Sequence, residues 1–193
     1  MPFPAKQERF TFSDILTWDK DERIEIIHGK AVMVVPPPRL HQEISMELSR
    51  QLANYLEGKR CKVYSAPFVV RLFEQDGDNP EDVDTVVEPD ISVVCDRSKL
   101  DDHGCKVEPD MLIEILSPST LRHDQLVKLN LYQQAEVREY WIVDPMSKSV
   151  QVFLLDSEGF LRIHEVYGRT DVAKVNVLDG CFLELSKVFP TSG

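Results

Sequence analysis

The most informative segment of the chain reads VVEPDISVVCDRSKLDDHGCKVEPDMLIEILSPST and spans residues 86–120. It contains two short apolar runs, Ile91–Val94 and Met111–Leu116, and a Glu-Pro-Asp triplet precedes each of them. Their length and β-branched content predict strands that are buried on both faces. Glu114 interrupts the second run, and a carboxylate in a buried strand is costly unless a metal or a fixed cation compensates it. Asp90 precedes the first run, so pairing of the two strands would bring both acids together.

Two converging carboxylates provide the hard oxygen ligands that Mg²⁺ and Mn²⁺ require. We therefore expect a divalent metal, Mg²⁺ or Mn²⁺, held by Asp90 and Glu114. Two structural alternatives stay open. Asp90 would cap a turn after its proline, or Glu114 would pair with a structural lysine.

Length and charge limit the classes of protein that fit. The 193 residues suit a single domain, residues 1–193, with a sizeable core. The formal net charge of −11 counts against a broad nucleic-acid-binding surface, because phosphate binding depends on Lys and Arg. A negative net charge is still compatible with a local basic groove, or with a site in which a bound divalent cation makes the local charge positive.

Targeting and cysteine patterns indicate a cytoplasmic protein. No apolar run approaches the ~20 residues that span a bilayer, and the N-terminal sequence MPFPAKQERF lacks the apolar core of a signal peptide. The four cysteines are scattered without a C-x-x-C pair, which argues against a zinc site. We expect free thiols, with Cys95 packed as a small hydrophobic residue.

Periodicity and turn signals place the remaining elements. A short helix is expected with Ser13 as its N-cap, a long helix over 39–57 should end at Gly58, and a further helix should span 121–135. Strands are expected over 23–27, 31–35, 61–72, 85–95, 111–116, 139–145, 149–155, 161–167, 175–177 and 181–185, with 96–109 as a loop.

Each long helix carries an unexpected polar residue on its apolar face. In the first helix, His41 is either a core-edge histidine with a satisfied hydrogen bond or a residue at the edge of the site that orients a water or a phosphate. In the second, Lys128 projects between Leu121 and Tyr132. It either extends its ammonium to solvent or meets Glu114 or a phosphate.

Two carboxylates and a lysine form an economical apparatus for metal-assisted phosphodiester hydrolysis. A metal held by the carboxylates lowers the pKa of a bound water and polarises the scissile phosphate. The lysine positions that water or neutralises the charge that develops on the phosphorane.

Four motifs together carry a resemblance to a known family. They are EPDISVV at 88–94, PDMLIEILSPST at 109–120, Asp124 with Lys128 and Tyr132, and EYWIVDP at 139–145. Joined in this order, they make the chain from about residue 12 to 189 similar to the Uma2 family, formerly a domain of unknown function that is common in cyanobacteria. That family is placed in the PD-(D/E)xK nuclease superfamily.

The resemblance implies a restriction-endonuclease-like α/β (α+β) fold. A mixed central β-sheet would be flanked by helices, with additional antiparallel N- and C-terminal strands. It also implies DNA as the substrate, with Asp90 at the Pro-Asp position and Glu114 at the second acidic position.

One position departs from the superfamily pattern, which has a lysine two residues after the second acid, where this chain has Leu116. Lys128 is the candidate replacement, because a strand end and the adjacent helix can present side chains to one point. His41 and Glu43 match positions where the family often has a histidine and an acidic residue, and we expect one of them to support the site.

The sequence therefore predicts an Mg²⁺- or Mn²⁺-dependent endonuclease that hydrolyses DNA. The alternative is a catalytically inactive nucleic-acid- or protein-binding module that keeps the nuclease fold, and the departure at Leu116 and the acidic charge favour it. A third hypothesis is hydrolysis of a smaller phosphoester. Because restriction-endonuclease-like proteins are often dimers, and apolar edge strands near the C-terminus can pair, we also expect a homodimer.

Overall fold

The computed structural model describes residues 9–18, 23–117 and 123–189, excepting the side chains at 123–125. The end of the second motif, at 118–120, and the side chain of Asp124 therefore lie outside the described residues.

The long helices form close to where the sequence predicts them. The α-helices of the described residues are α1 (Phe12–Thr17), α2 (Arg39–Leu56), α3 (Leu129–Gln134) and α4 (Leu185–Val188). A π-helical segment, His123–Lys128, leads into α3, so the helix expected over 121–135 is not α-helical throughout. The N-cap of α1 is Thr11 and not Ser13, because the Asp14 carboxylate accepts the Thr11 N–H at 2.8 Å.

Short strands make up most of the remaining structure. The strands of the described residues are β1 (Ile24–Ile27), β2 (Lys30–Met33), β3 (Lys62–Ser65), β4 (Val70–Arg71), β5 (Val86–Val87), β6 (Ile91–Val94), β7 (Leu100–Asp101), β8 (Gly104–Lys106), β9 (Met111–Ile115), β10 (Glu139–Asp144), β11 (Ser149–Leu155), β12 (Leu161–Gly168), β13 (Val172–Val175) and β14 (Cys181–Glu184).

The central sheet has the order β12-β11-β10-β9-β6-β3. Only β9 and β10 pair in parallel among its described strands, so the sheet is mixed, as expected. The two runs of the most informative segment are neighbours, with Ile91 opposite Ile113. Continued by one residue, this antiparallel register places Asp90 opposite Glu114.

A second sheet, of order β2-β1-β5-β4-β8-β7, packs beside the central one. Part of it was expected to be loop, and that prediction is wrong, because β7 and β8 form a hairpin within 96–109. The hairpin is two to three residues long on each side, too short for a periodic signal. Gly104 is required there, since a Cβ would lie 2.1 Å from the carbonyl oxygen of Val69.

Both faces of the central sheet are covered, which explains its apolar strands. On one face Met111, Ile113 and Ile115 pack with α2, α4 and the β13–β14 hairpin. On the other face Leu112 packs with α3 and residues of the second sheet. Because side chains alternate along a strand, Glu114 faces α3 and the second sheet.

Two sequence expectations about the C-terminal strands and the cysteines need correction. The hairpin uses Val172–Val175 instead of the expected 175–177. Cys61 and Cys95 form a disulfide, so the expectation of free thiols is wrong for them. They flank the pair Lys62–Val94 at one end of β3 and β6, which brings together residues 34 positions apart in the chain. Cys105 and Cys181 are free and buried.

No helix in the described ranges combines the length and the apolar character that crossing a membrane demands.

Glu139 ties the C-terminal hairpin to the central sheet. Its fully buried carboxylate accepts the indole N–H of Trp141 at 2.7 Å, the Val177 N–H at 2.7 Å and the Asn176 amide at 3.3 Å. We predict that Glu139→Ala lowers the free energy of unfolding by about 2–4 kcal/mol, because these donors lose a charged acceptor. Urea denaturation measures the loss. Glu158→Ala, at an exposed glutamate, should cost under about 0.5 kcal/mol, and equal losses in the two variants would contradict this role.

Candidate active site

A pocket of about 290 Å³ opens where β6 begins and β9 ends. Its apolar lining consists of Val32, Met33, Val34, Val35, Pro37 and Ile115. Its polar lining consists of Arg23, Glu25, His41, Glu88, Asp90, Glu114, Ser117 and Lys128. Four of the five residues predicted for the site, namely Asp90, Glu114, Lys128 and His41, therefore line one cavity.

Lys128 is directed into the protein. The π-helical segment before α3 turns its side chain toward the central sheet, and only 5% of the residue is exposed. Its Nζ lies 2.9 Å from Oε1 of Glu114 and 2.9 Å from Oε1 of Glu25. The alternative in which Lys128 extends to solvent is wrong, and its contact with Glu114 is confirmed.

Glu25 is the site residue that the sequence analysis missed. It lies on β1, is buried, and also accepts the backbone N–H of Glu88 at 2.9 Å. The signal was available, because Ile24-Glu25-Ile26-Ile27 is an apolar run interrupted by an acid, the pattern that singled out Glu114. Arg23 and Glu88 pair at 2.7 Å beside it on the pocket wall.

Tyr132 fixes the Glu114 carboxylate from α3. Its hydroxyl donates to Oε1 of Glu114 over 2.6 Å. Complete burial raises the pKa of Tyr132 well above its usual value, and the negative charges of Glu114 and Glu25 raise it further. The phenol therefore keeps its proton and serves as a permanent donor to Glu114.

Asp90 is held from the opposite layer. Its Oδ2 accepts the Ile115 N–H at 2.8 Å and lies 3.0 Å from Nε2 of His41 on α2. The carboxylate thus binds the backbone of β9 and does not cap its own turn. The other ring nitrogen of His41, Nδ1, is buried without a hydrogen-bond partner in the described part of the chain.

Glu43 does not join the others. It lies two residues after His41, which on an α-helix is a rotation of about 200°. Its side chain is exposed, pairs with Arg39 and is not part of the pocket lining. The structure therefore leaves His41 as the residue of α2 that meets the site.

The donor set suits a metal bound by two carboxylates. The pocket lining carries four carboxylates against the two cations Arg23 and Lys128, a formal charge of −2 when His41 is neutral. Over the described ranges, no three His, Cys, Asp or Glu side chains are grouped closely enough to hold a metal ion by themselves. Mg²⁺ often binds one or two carboxylates and keeps several waters, so Asp90 and Glu114 fit it.

Comparison with known proteins decides the family. A model of the Uma2 family, described as "Putative restriction endonuclease", matches residues 12–186. The chain belongs to the Uma2 family. The match covers all the pocket-lining residues named above, from Arg23 to Lys128.

This Uma2 protein is similar to a cyanobacterial protein in sequence and to a crystal structure in fold. The uncharacterized protein slr1290 of Synechocystis sp. is 24% identical over 161 residues, which cover 82% of this chain and 78% of that protein. A crystal structure from Anabaena variabilis, described as a putative nuclease belonging to DUF820, gives a TM-score of 0.72 at 19% identity. The alignment covers 93% of this chain and 97% of that one. The expected restriction-endonuclease-like fold is confirmed.

The Lys128 ammonium should be essential for stability. Lys128→Met leaves Glu25 and Glu114 buried without their shared cation, so we expect a loss of about 3–5 kcal/mol in urea denaturation. Lys187→Met removes a surface lysine paired with Glu184, and should cost under about 0.5 kcal/mol. Adding Glu25→Gln and Glu114→Gln to Lys128→Met should restore most of the loss. No recovery would show that the ammonium acts on stability in another way.

Tyr132 should make stability depend on alkaline pH. Its pKa is raised in the folded state, so its contribution to stability is complete below the unfolded pKa of about 10 and is lost as pH rises above it. Tyr132→Phe should cost about 1.5–3 kcal/mol at neutral pH, and its melting temperature should fall less steeply than the wild type's above pH ~10. Phe153→Leu, a core variant without a titrating group, should keep the wild-type slope. Parallel slopes in wild type and Tyr132→Phe would refute the assignment.

Proposed function

We propose that this Uma2 protein is an endonuclease that hydrolyses phosphodiester bonds of DNA with the help of Mg²⁺ or Mn²⁺. The observation that carries the proposal is the meeting of Lys128 with Glu114 in the pocket that Asp90 also lines. The family description and the putative nuclease from Anabaena variabilis support a nuclease-like function.

Asp90 and Glu114 are the residues that would hold the metal. When bound, the metal supplies a water of lowered pKa and polarises the scissile phosphate. His41 and the Ile115 N–H fix the orientation of Asp90. Lys128 and Tyr132 fix Glu114, and the burial of these contacts keeps both carboxylates in place before substrate arrives.

Lys128 is the cationic group of the proposed reaction. Its ammonium is shared between two carboxylates, and a divalent cation in the pocket would compete for them. The lysine can then stabilise negative charge that develops on the phosphate, or position the attacking water. This assigns to Lys128 the role that the superfamily pattern gives to the position of Leu116.

The acidic pocket is consistent with metal-assisted chemistry on an anionic substrate. Without a cation, the formal charge of −2 would repel a phosphate, since like charges in a partly buried site interact strongly. One divalent ion neutralises that charge. Substrate binding in this proposal therefore depends on metal binding, and the two should be lost together.

The chain acts as a single nuclease-type domain over residues 1–193 and assembles as a homodimer.

A catalytically inactive binding module is the second candidate. The observation that favours it is that Lys128 is held between the buried carboxylates of Glu25 and Glu114, an arrangement that also suits a purely structural role. A cleavage assay combined with a measurement of metal binding separates the two candidates.

The decisive experiment is a cleavage assay with Mn²⁺ or Mg²⁺ on duplex DNA, single-stranded DNA and RNA. We expect metal-dependent cleavage of DNA by the wild type, and a loss of more than about 100-fold in Asp90→Asn and Glu114→Gln. Asp76→Asn, at an exposed acid outside the pocket, is the matched control and should keep wild-type activity. Calorimetry with Mn²⁺ should show binding to the wild type and not to Asp90→Asn. No cleavage and no metal binding would leave the inactive module standing.

A further inference from the structure

The outer strand of the central sheet, β12, has an open edge. Within the described ranges it pairs only with β11, and its eight residues leave a long row of backbone groups outside any ladder. Ile163 and Val166 are well exposed on it. The N–H of Val166 points away from β11 and, among the described residues, donates to the side chain of the adjacent Glu165 at 3.2 Å.

We propose that β12 pairs antiparallel with β12 of a second copy of this chain, about a two-fold axis between His164 and Glu165. This rests on the homodimer of the proposed function and deepens it by assigning a surface and a register. It does not depend on nuclease activity, since β12 lies three strands from β9 in the sheet.

The sequence of β12 is complementary to itself in this register. Ile163 lies opposite Val166 of the partner subunit, so two exposed apolar residues cover each other on each side of the axis. His164 lies opposite Glu165 of the partner subunit, a pair of opposite charge when the imidazole is protonated. Arg162, whose guanidinium pairs with Asp156 of its own subunit, lies opposite Tyr167 of the partner subunit. No like charges oppose each other.

A β-bulge makes this register geometrically possible. In a regular strand, residues three apart project to opposite faces and opposite edges, so Ile163 and Val166 could not pair across a two-fold axis. Here the ladder shifts, because Phe153 pairs with Ile163 while Val152 pairs with Glu165. His164 is the extra residue. Ile163 and Val166 therefore share one face of the sheet, and both direct their backbone groups away from β11.

A second copy fits this edge better than an unrelated strand does. The complementarity is palindromic, and a two-fold contact uses both edges completely, so the assembly closes at the dimer. The sheet would continue across the axis through two copies of β12, with twice the six strands of one subunit.

The mass of the 193-residue protein in solution tests the proposal. Light scattering after gel filtration at micromolar concentration should give twice the 22.2 kDa of one chain. Val166→Lys should weaken the dimer by more than about tenfold, because the lysine would oppose Ile163 of the partner subunit. Val172→Lys is the matched control, since Val166 and Val172 are both 53% exposed valines on strands. It should remain dimeric. A monomeric wild type, or a dimer equally stable in Val166→Lys, would overturn the proposal.

Two further variants test the register and guard against misfolding. Val166→Pro removes an N–H that makes no bond to β11, so the monomer should stay folded by circular dichroism while the dimer is lost. The double variant Ile163→Cys/Val166→Cys should give a covalent dimer on oxidation. In the proposed register, the cysteine at position 163 of one subunit lies opposite the cysteine at position 166 of the other. Ile163→Cys alone should not cross-link. Efficient cross-linking of that single variant would overturn the register.

Discussion

The site depends on one buried interaction, the pairing of the Lys128 ammonium with the carboxylates of Glu25 and Glu114. Each of the three groups would be costly alone in this interior. Together they connect three separate parts of the fold, because Glu25 comes from the second sheet, Glu114 from the central sheet and Lys128 from the helical segment that covers both. These three side chains can therefore meet only when the layers are packed correctly, and they also form part of the polar wall of the pocket.

This arrangement costs stability that an apolar core would have kept. A buried ion pair usually contributes no more than well-packed hydrophobic residues of the same volume, so stability alone gives no reason for three charges here. The neighbouring polar groups follow the same pattern. Nδ1 of His41 is buried with no hydrogen-bond partner among the described residues, and the Tyr132 hydroxyl donates to Glu114 and orients it. Polar groups that are expensive and mutually oriented in one cavity are characteristic of sites kept for binding or catalysis.

The sequence was sufficient to identify most of the predicted residues that line the pocket, because their signals were violations of a local rule. Glu114 breaks an apolar strand and Lys128 breaks an apolar helical stripe, and each violation predicted a partner that the structure supplies. Glu25 gave the same signal and was overlooked because its run was considered only as one strand of a hairpin. Glu43 was predicted because it matches a family position for an acidic residue, but it lies about 200° around the helix from His41 and is not part of the pocket lining.

The features that could not be predicted from the sequence are those determined by pairing between segments far apart in the chain. The disulfide joins two cysteines that become neighbours only through the β3–β6 ladder. The β7–β8 hairpin consists of strands too short to show a period. The register that faces Ile163 and Val166 the same way depends on a bulge defined by the partner strand β11. In each case the information lies in a contact between segments and not in either segment alone.

The geometry between the two candidate metal ligands is a property of the whole fold. Asp90 is anchored to α2 through His41 and to β9 through the Ile115 N–H. Glu114 is anchored from the other face of the sheet, through Lys128, Tyr132 and, indirectly, Glu25. Since a shared ion tolerates only small changes in ligand distance, the helices on both faces must pack correctly on the central sheet before the carboxylates can act together. A site anchored from both layers can therefore be recognised residue by residue in the sequence, whereas its capacity to bind an ion is determined only by the assembled sheet.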